Sequence, residues 1–296
     1  ASITGRSMSN LANRPASLRR SWIFLSAVDD AIYPRAWACS ADALIADLED
    51  ATPPHLRDRA RGMLSAFVEG CRAAHKIACV RINPLQSEGL TDLAAALPAR
   101  PDVILLPKTE FPEQVTDLAA RIGRQRLGDV EIVPNIETAS GLVRTHAIAS
   151  AHPRISACLM ASEDMTTSLG AERGRDAFEL QYARSRFLVE CRAAGVVPID
   201  CPYTFSDVEG LEVETRLARR MGYTAKSAVD ISHASLINTV LTPSGEEVAR
   251  ARRIVAEFER AHADGRRAQV DGNFLEVPIF LNAKRLIERH DALAEL

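Results

Sequence analysis

Short runs of apolar residues alternate with longer amphipathic segments along most of the chain. The apolar runs span residues 21–27, 41–49, 76–83, 102–108, 130–137, 155–162, 196–200 and 223–229. Several of them are apolar at nearly every position, as expected for strands buried on both faces of a parallel sheet. The segments between them have helical spacing, as in 178–195, where Leu180, Phe187, Leu188 and Cys191 fall on one face. The pattern therefore predicts eight strands that alternate with helices.

Eight strand–helix repeats favour an α/β fold of the TIM (β/α)8 barrel type. A doubly wound sheet that binds a dinucleotide would need a glycine-rich turn after its first strand, and the sequence there is SAVDDAI, without glycine. Two long amphipathic segments follow the eighth strand and predict additional C-terminal helices. We therefore expect a flexible N-terminal arm at 1–19, the barrel at 20–242, and a helical extension at 243–296 that packs on the barrel or on a neighbouring subunit.

The composition excludes several classes of protein. The chain has 296 residues, 47% of them hydrophobic, and a formal net charge of -3, which gives no electrostatic footprint for nucleic acid. No apolar run approaches the roughly 18 residues of a membrane helix, and the N-terminal stretch lacks the apolar segment of a secretory signal. The six cysteines form no C-x-x-C pair, so we expect reduced thiols and a cytoplasmic protein.

The sixth apolar run ends on two adjacent acids. Residues 155–161 are mostly apolar, and Glu163 and Asp164 follow almost directly. Two explanations are open at this point. The acids stabilise the N-terminus of the next helix, or they belong to a metal site at the carboxyl end of a strand.

Charged and polar side chains stand at five consecutive strand ends. They are Asp47, Glu49 and Asp50 at the second strand, Arg81 and Asn83 at the third, Lys108 at the fourth, Asn135 and Glu137 at the fifth, and Glu163 and Asp164 at the sixth. In a TIM barrel these ends meet at the face that carries the active site. Such a cluster at matched positions predicts a site rather than a random charged surface.

The types of residue in this cluster indicate its chemistry. Carboxylates from different strands suit a hard cation such as Mg²⁺, which prefers oxygen ligands and leaves positions for water and substrate. No histidine pair at helical spacing and no cysteine cluster offers a zinc site. An arginine can bind a carboxylate through two parallel hydrogen bonds. A cation, an arginine and a lysine together can hold a 2-oxo acid or a 3-hydroxy acid and stabilise an enolate, as cleavage of a carbon–carbon bond beside a carbonyl requires.

At these residues the chain resembles the citrate lyase β-subunit-like family of the HpcH/HpaI aldolase superfamily, from about Arg20 to Leu286. The resemblance is carried by the segments RSWIFL, ADALIADLEDA, VRIN, LPKTE, IETASGL, SEDMTTSLGA, YARSRFLVECRAAGVVPID, DVEGLEVETRLARRMGYTAK and TPSGEEVARARRIVAEFE, in this order. It implies a TIM barrel with C-terminal helices that forms a homotrimer or hexamer. It also implies Mg²⁺-dependent, reversible cleavage of 3-hydroxy-acyl thioesters such as citryl-, malyl-, methylmalyl- or citramalyl-CoA to a 2-oxo acid and an acyl thioester.

The resemblance assigns roles residue by residue. Glu137 and Asp164 match the two carboxylates that bind the metal, and Glu137 also borders the substrate. Arg81 matches the arginine that holds the substrate carboxylate or the enolate oxygen. Glu49 and Lys108 match positions that support these groups, so we include them in the catalytic set and expect them to pair with each other.

In thioester-active members of this family an acid from a neighbouring subunit's C-terminal segment completes the site. Its position falls in the segment GNFLEVP, where this chain has Glu276 instead of the family's aspartate. The rim of the site also departs from the family. Asp29 stands where a cation that holds coenzyme A tends to lie, and Asp230 stands at the family's histidine. These acids predict weak binding of coenzyme A.

Two alternatives remain open. One is an aldolase that acts on a free 2-oxo acid without coenzyme A, which the altered rim favours. The other is not an enzyme but a catalytically silent protein that binds a metabolite or serves as a subunit of a larger lyase complex. Binding of Mg²⁺ and oxaloacetate without turnover of any acyl thioester would favour the silent protein.

Overall fold

The computed structural model describes residues 14–124 and 129–296. Eight parallel strands close into a barrel in which each strand pairs with the next along the chain and the eighth pairs with the first. The strands are β1 (Ser21–Ser26), β2 (Ala43–Asp47), β3 (Ile77–Arg81), β4 (Val103–Leu106), β5 (Glu131–Ile136), β6 (Ala157–Met160), β7 (Val197–Tyr203) and β8 (Ala225–Ala228). The predicted TIM barrel and its eight predicted strands are confirmed.

Helices connect the strands. Those before β8 are α1 (Tyr33–Ala38), α2 (Arg57–Ala73), α3 (Gly89–Ala99), α4 (Pro112–Arg124), α5 (Ala139–Leu142), α6 (Thr145–Ala149), α7 (Ser162–Leu169), α8 (Gln181–Ala193) and α9 (Val208–Met221). The additional C-terminal helices, also predicted, are α10 (His233–Leu241), α11 (Gly245–Ala263) and α12 (Val277–Ala294). No described helix is both long enough and apolar enough to cross a membrane.

Alternating side chains of each strand fill the barrel. In β2, Ala43 and Ile45 belong to the interior cluster, while Leu44 and Ala46 are buried on the opposite face of the strand. The interior cluster also contains Trp22, Ile77, Cys79, Val103, Leu105, Val133, Ala157, Leu159, Ile199 and Ala225. Burial on both faces explains why the strands are apolar at nearly every position.

The predicted flexible arm at 1–19 is only partly within the described residues, because 1–13 lie outside them. Residues 14–19 are held against the barrel. The guanidinium of Arg19 is buried and donates two hydrogen bonds to Glu131 at the start of β5, each 2.7 Å long. Arg14 forms an ion pair with Asp42. The sequence pattern gave no sign of these contacts, because the partners lie far away along the chain.

The described residues divide into two compact units, one up to Thr239 and one at Val240–Leu296. The second unit contains α11 and α12, which pack against each other through Phe258 and Phe280, with ring centroids 4.6 Å apart. A short antiparallel hairpin, β9 (Gln269–Val270) and β10 (Asn273–Phe274), turns through Asp271 and Gly272. Both turn residues have positive φ, as a tight hairpin of this type requires. The division falls within α10, just before the boundary predicted at 242.

Candidate active site

The carboxyl ends of the strands bring together most of the residues identified in the sequence. Asp47 and Arg81 are the last residues of β2 and β3, and Glu137 directly follows β5. Lys108 lies in the loop after β4, and Asp164 lies in the first turn of α7, which follows β6. The barrel therefore places these charged groups at one face, as the sequence predicts.

The guanidinium of Arg81 is bound along one edge by Asp47. Nε donates to Oδ1 at 2.7 Å and Nη2 donates to Oδ2 at 2.6 Å. The carboxylate of Asp47 also accepts the backbone N–H groups of Glu49 and Ala51, each at 3.0 Å. Asp47 thus fixes both the arginine and the turn that carries Glu49. The Nε–Nη2 edge of Arg81 is therefore already occupied, which the sequence did not predict.

The remaining nitrogen of Arg81, Nη1, faces two other carboxylates. It lies 3.2 Å from Oε2 of Glu49 and 3.6 Å from Oε1 of Glu137. Burial alone would lower the pKa of Arg81, but Asp47, Glu49 and Glu137 hold that pKa above its usual value. The guanidinium is therefore charged at any pH at which the protein is folded.

Lys108 and Glu49 pair with each other, as expected from the sequence. Nζ of Lys108 lies 2.6 Å from Oε1 of Glu49, whose side chain is buried. The backbone of Lys108 has a positive φ of 48°, and its N–H donates to Oε2 of Glu137 at 3.2 Å. Burial raises the pKa of Glu49, although Arg81 and Lys108 act in the opposite direction. This left-handed turn lets one lysine contact two acids of the site.

Glu137 is a buried carboxylate with an excess of negative charge around it. It accepts hydrogen bonds from Nδ2 of Asn135 and from the backbone of Lys108, both long at 3.2 Å. Burial raises its pKa to about 8; Arg81 opposes the shift, and Glu49 and Asp164 add to it. A divalent cation is the partner that would keep these acids ionised together.

These acids make no side-chain capping bonds, although Glu163 and Asp164 do lie in the first turn of α7, where their charge favours the helix N-terminus. The N-cap of α5 is Thr138, which accepts the N–H of Gly141, so Glu137 does not cap. The N-cap of α7 is Ala161, which makes no side-chain capping bond. A pair of carboxylates, Glu137 and Asp164, on neighbouring strand ends fits Mg²⁺, which takes one or two protein carboxylates and completes its shell with water and substrate oxygens.

A cavity of about 410 Å³ opens at this face of the barrel. It is lined by Phe24, Ser26, Asp47, Asp50, Ala51, Arg81, Leu159, Ala161, Ser162, Glu163, Asp164, Pro202, Thr204 and Val229. Its volume suits a small organic acid together with the end of a longer acyl group. Arg81 and Asp164 therefore border a space that a substrate can enter, whereas Glu49, Lys108 and Glu137 are not among the residues that line it.

The family model for HpcH/HpaI aldolase/citrate lyase matches residues 20–231. The chain belongs to this family. The matched region contains β1 to β8 and with them the whole carboxyl face of the barrel.

Relatives with established names match almost the full chain. The (3S)-malyl-CoA thioesterase of Cereibacter sphaeroides is 31% identical over 93% of this chain and 95% of its own length. Citrate lyase subunit beta of Haemophilus influenzae is 30% identical over 92% of this chain and 97% of its own length. Among solved structures, CitE of Mycobacterium tuberculosis in complex with magnesium, acetoacetate and coenzyme A is 26% identical with a TM-score of 0.76, over 92% of this chain and 98% of that one.

In this HpcH/HpaI family member, a set of contacts around Glu163 at the edge of the site could not be predicted from the sequence. Thr204 donates to Oε1 of Glu163 at 2.6 Å, and Nε of Arg173 donates to the same oxygen at 3.3 Å. Arg173 also donates to Glu179 at 3.1 Å and lies over the ring of Phe205. The contacts explain why Glu163, unlike Asp164, is held at the rim. The residues are spread over two loops, so no local spacing indicates them.

A second cluster of potential metal ligands does not line the cavity, and a lysine fills it. Asp200, Cys201 and Glu214 come within reach of one another and are buried. Nζ of Lys226 occupies the space between them, at 2.8 Å from Asp200, 2.6 Å from Glu214 and 2.6 Å from the carbonyl oxygen of Cys201. Arg184 adds two hydrogen bonds to Asp200. The positive charges of Lys226 and Arg184 already balance the acids.

Three further residues from the sequence analysis are exposed. Glu276 is the N-cap of α12 in the second unit, with its side chain 71% exposed and 3.9 Å from Arg267. Asp29 lies in the loop after β1, and Asp230 in the loop after β8. Asp230 accepts the N–H of Ser232, which together with the positive charge of Arg35 lowers the pKa of the carboxyl. The predicted roles of these acids stay predictions.

Proposed function

We propose that the chain is a Mg²⁺-dependent carbon–carbon lyase that cleaves, or forms, a 3-hydroxy-acyl thioester. The observation that carries the proposal is the buried carboxylate of Glu137, placed beside Arg81 and close enough to Asp164 for their charges to interact. The names of the relatives, a malyl-CoA thioesterase and a citrate lyase subunit, support a thioester substrate. The CitE complex with magnesium and coenzyme A supports the cofactor.

Glu137 and Asp164 are the residues that would hold Mg²⁺. When bound, the cation would act as a Lewis acid that withdraws negative charge from the oxo or hydroxyl oxygen of the substrate. The side chain of Glu49 is held by Lys108 and by Arg81. We assign Glu49 and Lys108 to positioning Arg81 and Glu137 rather than to proton transfer, since both side chains of this pair are engaged with each other.

Arg81 stabilises the negative charge that develops in the reaction. In the cleavage direction a base removes the proton of the 3-hydroxyl group, the bond between C2 and C3 breaks, and its electrons pass to the thioester as an enolate. C3 becomes the carbonyl carbon of the 2-oxo acid. Protonation of C2 then gives the acyl thioester. Nη1 of Arg81 is the donor available to the enolate or the carboxylate, because Asp47 holds Nε and Nη2.

We propose that Glu276 of a neighbouring subunit moves the proton, in a homotrimer or hexamer. Its high exposure on α12 is compatible with a place in another subunit's site. Arg81→Ala and Glu276→Ala should each be inactive alone. Coexpression of the two variants should restore part of the activity, because mixed oligomers contain sites with both native residues. Activity of Glu276→Ala at the wild-type level, or an inactive mixture, would refute the shared site.

The decisive experiment follows both possible products. Purified protein with Mg²⁺ is given malyl-, citramalyl- and citryl-CoA, and the 2-oxo acid and the free thiol are assayed separately. A lyase releases the 2-oxo acid without free thiol, and Glu137→Ala abolishes that release. Free thiol without a 2-oxo acid would assign the chain to thioesterases. No product from any thioester, despite binding of Mg²⁺ and of pyruvate or oxaloacetate, would assign it to silent metabolite-binding proteins.

An aldolase that acts on a free 2-oxo acid is the second candidate. The exposed acids Asp29 and Asp230 favour it, because they oppose the phosphates of coenzyme A at the rim. Aldol cleavage of a 4-hydroxy-2-oxo acid without any thioester would establish this activity. For either reaction we place the protein in the cytoplasm, since its six cysteines are free thiols, as in a reducing compartment.

A further inference from the structure

The cavity has two kinds of wall. One side, formed by the ends of β2 and β3 and the first turn of α7, presents charges and is lined by Asp47, Asp50, Arg81, Glu163 and Asp164. The other side is formed by the ends of β6, β7, β8 and β1. We call it the apolar wall, and it consists of Phe24, Leu159, Ala161, Pro202 and Val229.

The polar groups beside the apolar wall are neutral. They are the hydroxyls of Ser26 and Thr204, and Thr204 already donates to Glu163. The charged and apolar parts of the cavity meet at Phe24, whose ring centroid lies 4.8 Å from the guanidinium of Arg81. A substrate bound by its charged end in the charged part turns its remaining substituent toward the apolar part.

Of the described residues that line the cavity, Arg81 alone is cationic, whereas four are acids. Its charge is shared with Asp47, Glu49 and Glu137 at 2.6 to 3.6 Å. Arg81 can bind one substrate carboxylate or one enolate oxygen through Nη1. A second anionic group on the substrate would have to find another cation.

Two cations in the segments next to the apolar wall are already paired with acids. Arg173 is bound to Glu163 and Glu179, and it approaches Glu214 at 3.9 Å. Lys226 is buried in its cluster with Asp200 and Glu214. The loops beyond β1 and β8 carry the acids Asp29 and Asp230.

Arg35, on α1, lies near enough to Asp230 to influence its ionisation, so its charge is opposed there. A carboxylate placed against the apolar wall would therefore lose its water, find no cation other than Arg81 among the described residues that line the cavity, and share the cavity with four acids.

We infer that the 2-oxo acid handled by this site carries a single carboxylate, with a hydrogen atom or a small alkyl group on its oxo carbon. This rests on the proposed function, in which that acid is one of the two products. The carboxylate and the oxo oxygen face the charged part, and the alkyl group lies on the apolar wall. A dicarboxylic 2-oxo acid, whose second carboxylate would fall on the apolar wall, is excluded.

Calorimetric titration of the Mg²⁺-loaded protein tests the inference with three acids. Pyruvate carries a methyl group, 2-oxobutyrate an ethyl group, and oxaloacetate a carboxymethyl group that resembles the ethyl group in size. We expect pyruvate and 2-oxobutyrate to bind within about tenfold of each other, and freshly dissolved oxaloacetate to bind at least about 100-fold more weakly than either. The comparison with 2-oxobutyrate separates charge from size.

Val229 offers a matched pair of variants, because it lines the cavity and is 51% exposed just after β8. Val229→Lys places a cation on the apolar wall, and Val229→Met adds similar length without charge. We expect the lysine variant to raise the affinity for oxaloacetate relative to that for 2-oxobutyrate by at least about tenfold. The methionine variant should keep the wild-type order of the three affinities. Equal or tighter binding of oxaloacetate by the wild type, or no shift in the lysine variant, overturns the inference alone. Failure of all three acids to bind overturns the proposed function with it.

Discussion

Arg81 and Asp47 form a bidentate ion pair at the carboxyl end of the barrel, with both nitrogen–oxygen distances below 2.8 Å. A lysine keeps the charge but cannot span both oxygens of Asp47 while also reaching a third group. We therefore expect Arg81→Lys to lower kcat/KM by at least about tenfold, or about 1.4 kcal/mol. Arg57→Lys, at an ion pair with Glu88 outside the cavity, is the control and should retain activity. Kinetics of Arg81→Lys near the wild-type level would place this arginine outside the chemistry.

The proposed metal ligands give the second prediction. Asp164→Ala and Glu137→Ala should each abolish Mg²⁺ binding in calorimetry and leave the barrel folded, as judged by circular dichroism. The reason is that Mg²⁺ has few protein ligands and loses half of its carboxylates in either variant. Asp50→Ala removes an exposed acid from the same face and should leave Mg²⁺ affinity within about threefold of wild type. Unchanged affinity in both ligand variants would show that the cation binds elsewhere.

Lys108 combines a functional side chain with a strained backbone, and two substitutions separate these features. Lys108→Gly and Lys108→Ala both remove the partner of Glu49, so we expect both to lose activity to the same extent. Only alanine retains the cost of a positive φ, of about 1 kcal/mol. Urea unfolding should therefore find the glycine variant more stable than the alanine variant by about that amount. Equal stabilities would mean that the loop relaxes when the lysine is removed.

The positions of the strands were predictable from the sequence because burial on both faces leaves continuous apolar runs. The end of β7 was not predictable. The run was expected to stop at 200, but β7 continues through Pro202 to Tyr203, with a shift of register against β8 after Asp200. A proline ordinarily marks the end of a strand, and an irregular ladder of this kind tolerates it.

The residues of the site could be predicted from the sequence, but the ion pairs between them could not. Each charged residue at a strand end could be recognised from its place after an apolar run. That Asp47 rather than a substrate binds the edge of Arg81 depends on the neighbouring register of β2 and β3, where these two residues are partners. Spacing along the chain carries no such information, since 34 residues separate them.

Buried His233 gives a prediction about stability and pH. Burial, together with the charge of Lys226, lowers the pKa of His233 below its usual value of about 6.5, although Asp230 opposes the shift. The unfolded chain therefore takes up a proton more readily than the folded chain, and stability is lost as pH falls below about 6.5. We expect His233→Gln to flatten this loss in urea titrations between about pH 7 and 5. His55→Gln, at an exposed histidine, should follow the wild type. If the free energy of unfolding of His233→Gln fell with pH as steeply as that of the wild type, His233 would have the same pKa in the folded and the unfolded chain.

The acids at the rim give the last prediction. Asp29 and Asp230 place negative charge on the loops after β1 and β8, and Asp230 is kept ionised by the N–H of Ser232 and by Arg35. Coenzyme A carries several phosphate charges, so these acids should weaken the binding of its thioesters. The loss of affinity should fall as salt screens the charges, with a screening length of about 10 Å at 0.1 M.

Asp29→Arg combined with Asp230→His should then lower the KM for acyl-CoA, most clearly at low ionic strength, and leave Mg²⁺ affinity unchanged. Asp117→Arg reverses a charge on α4, outside the cavity, and controls for the change in net charge. A micromolar KM of the wild type for malyl-, citramalyl- or citryl-CoA, with no gain in the double variant, would show that the phosphates bind away from these two loops.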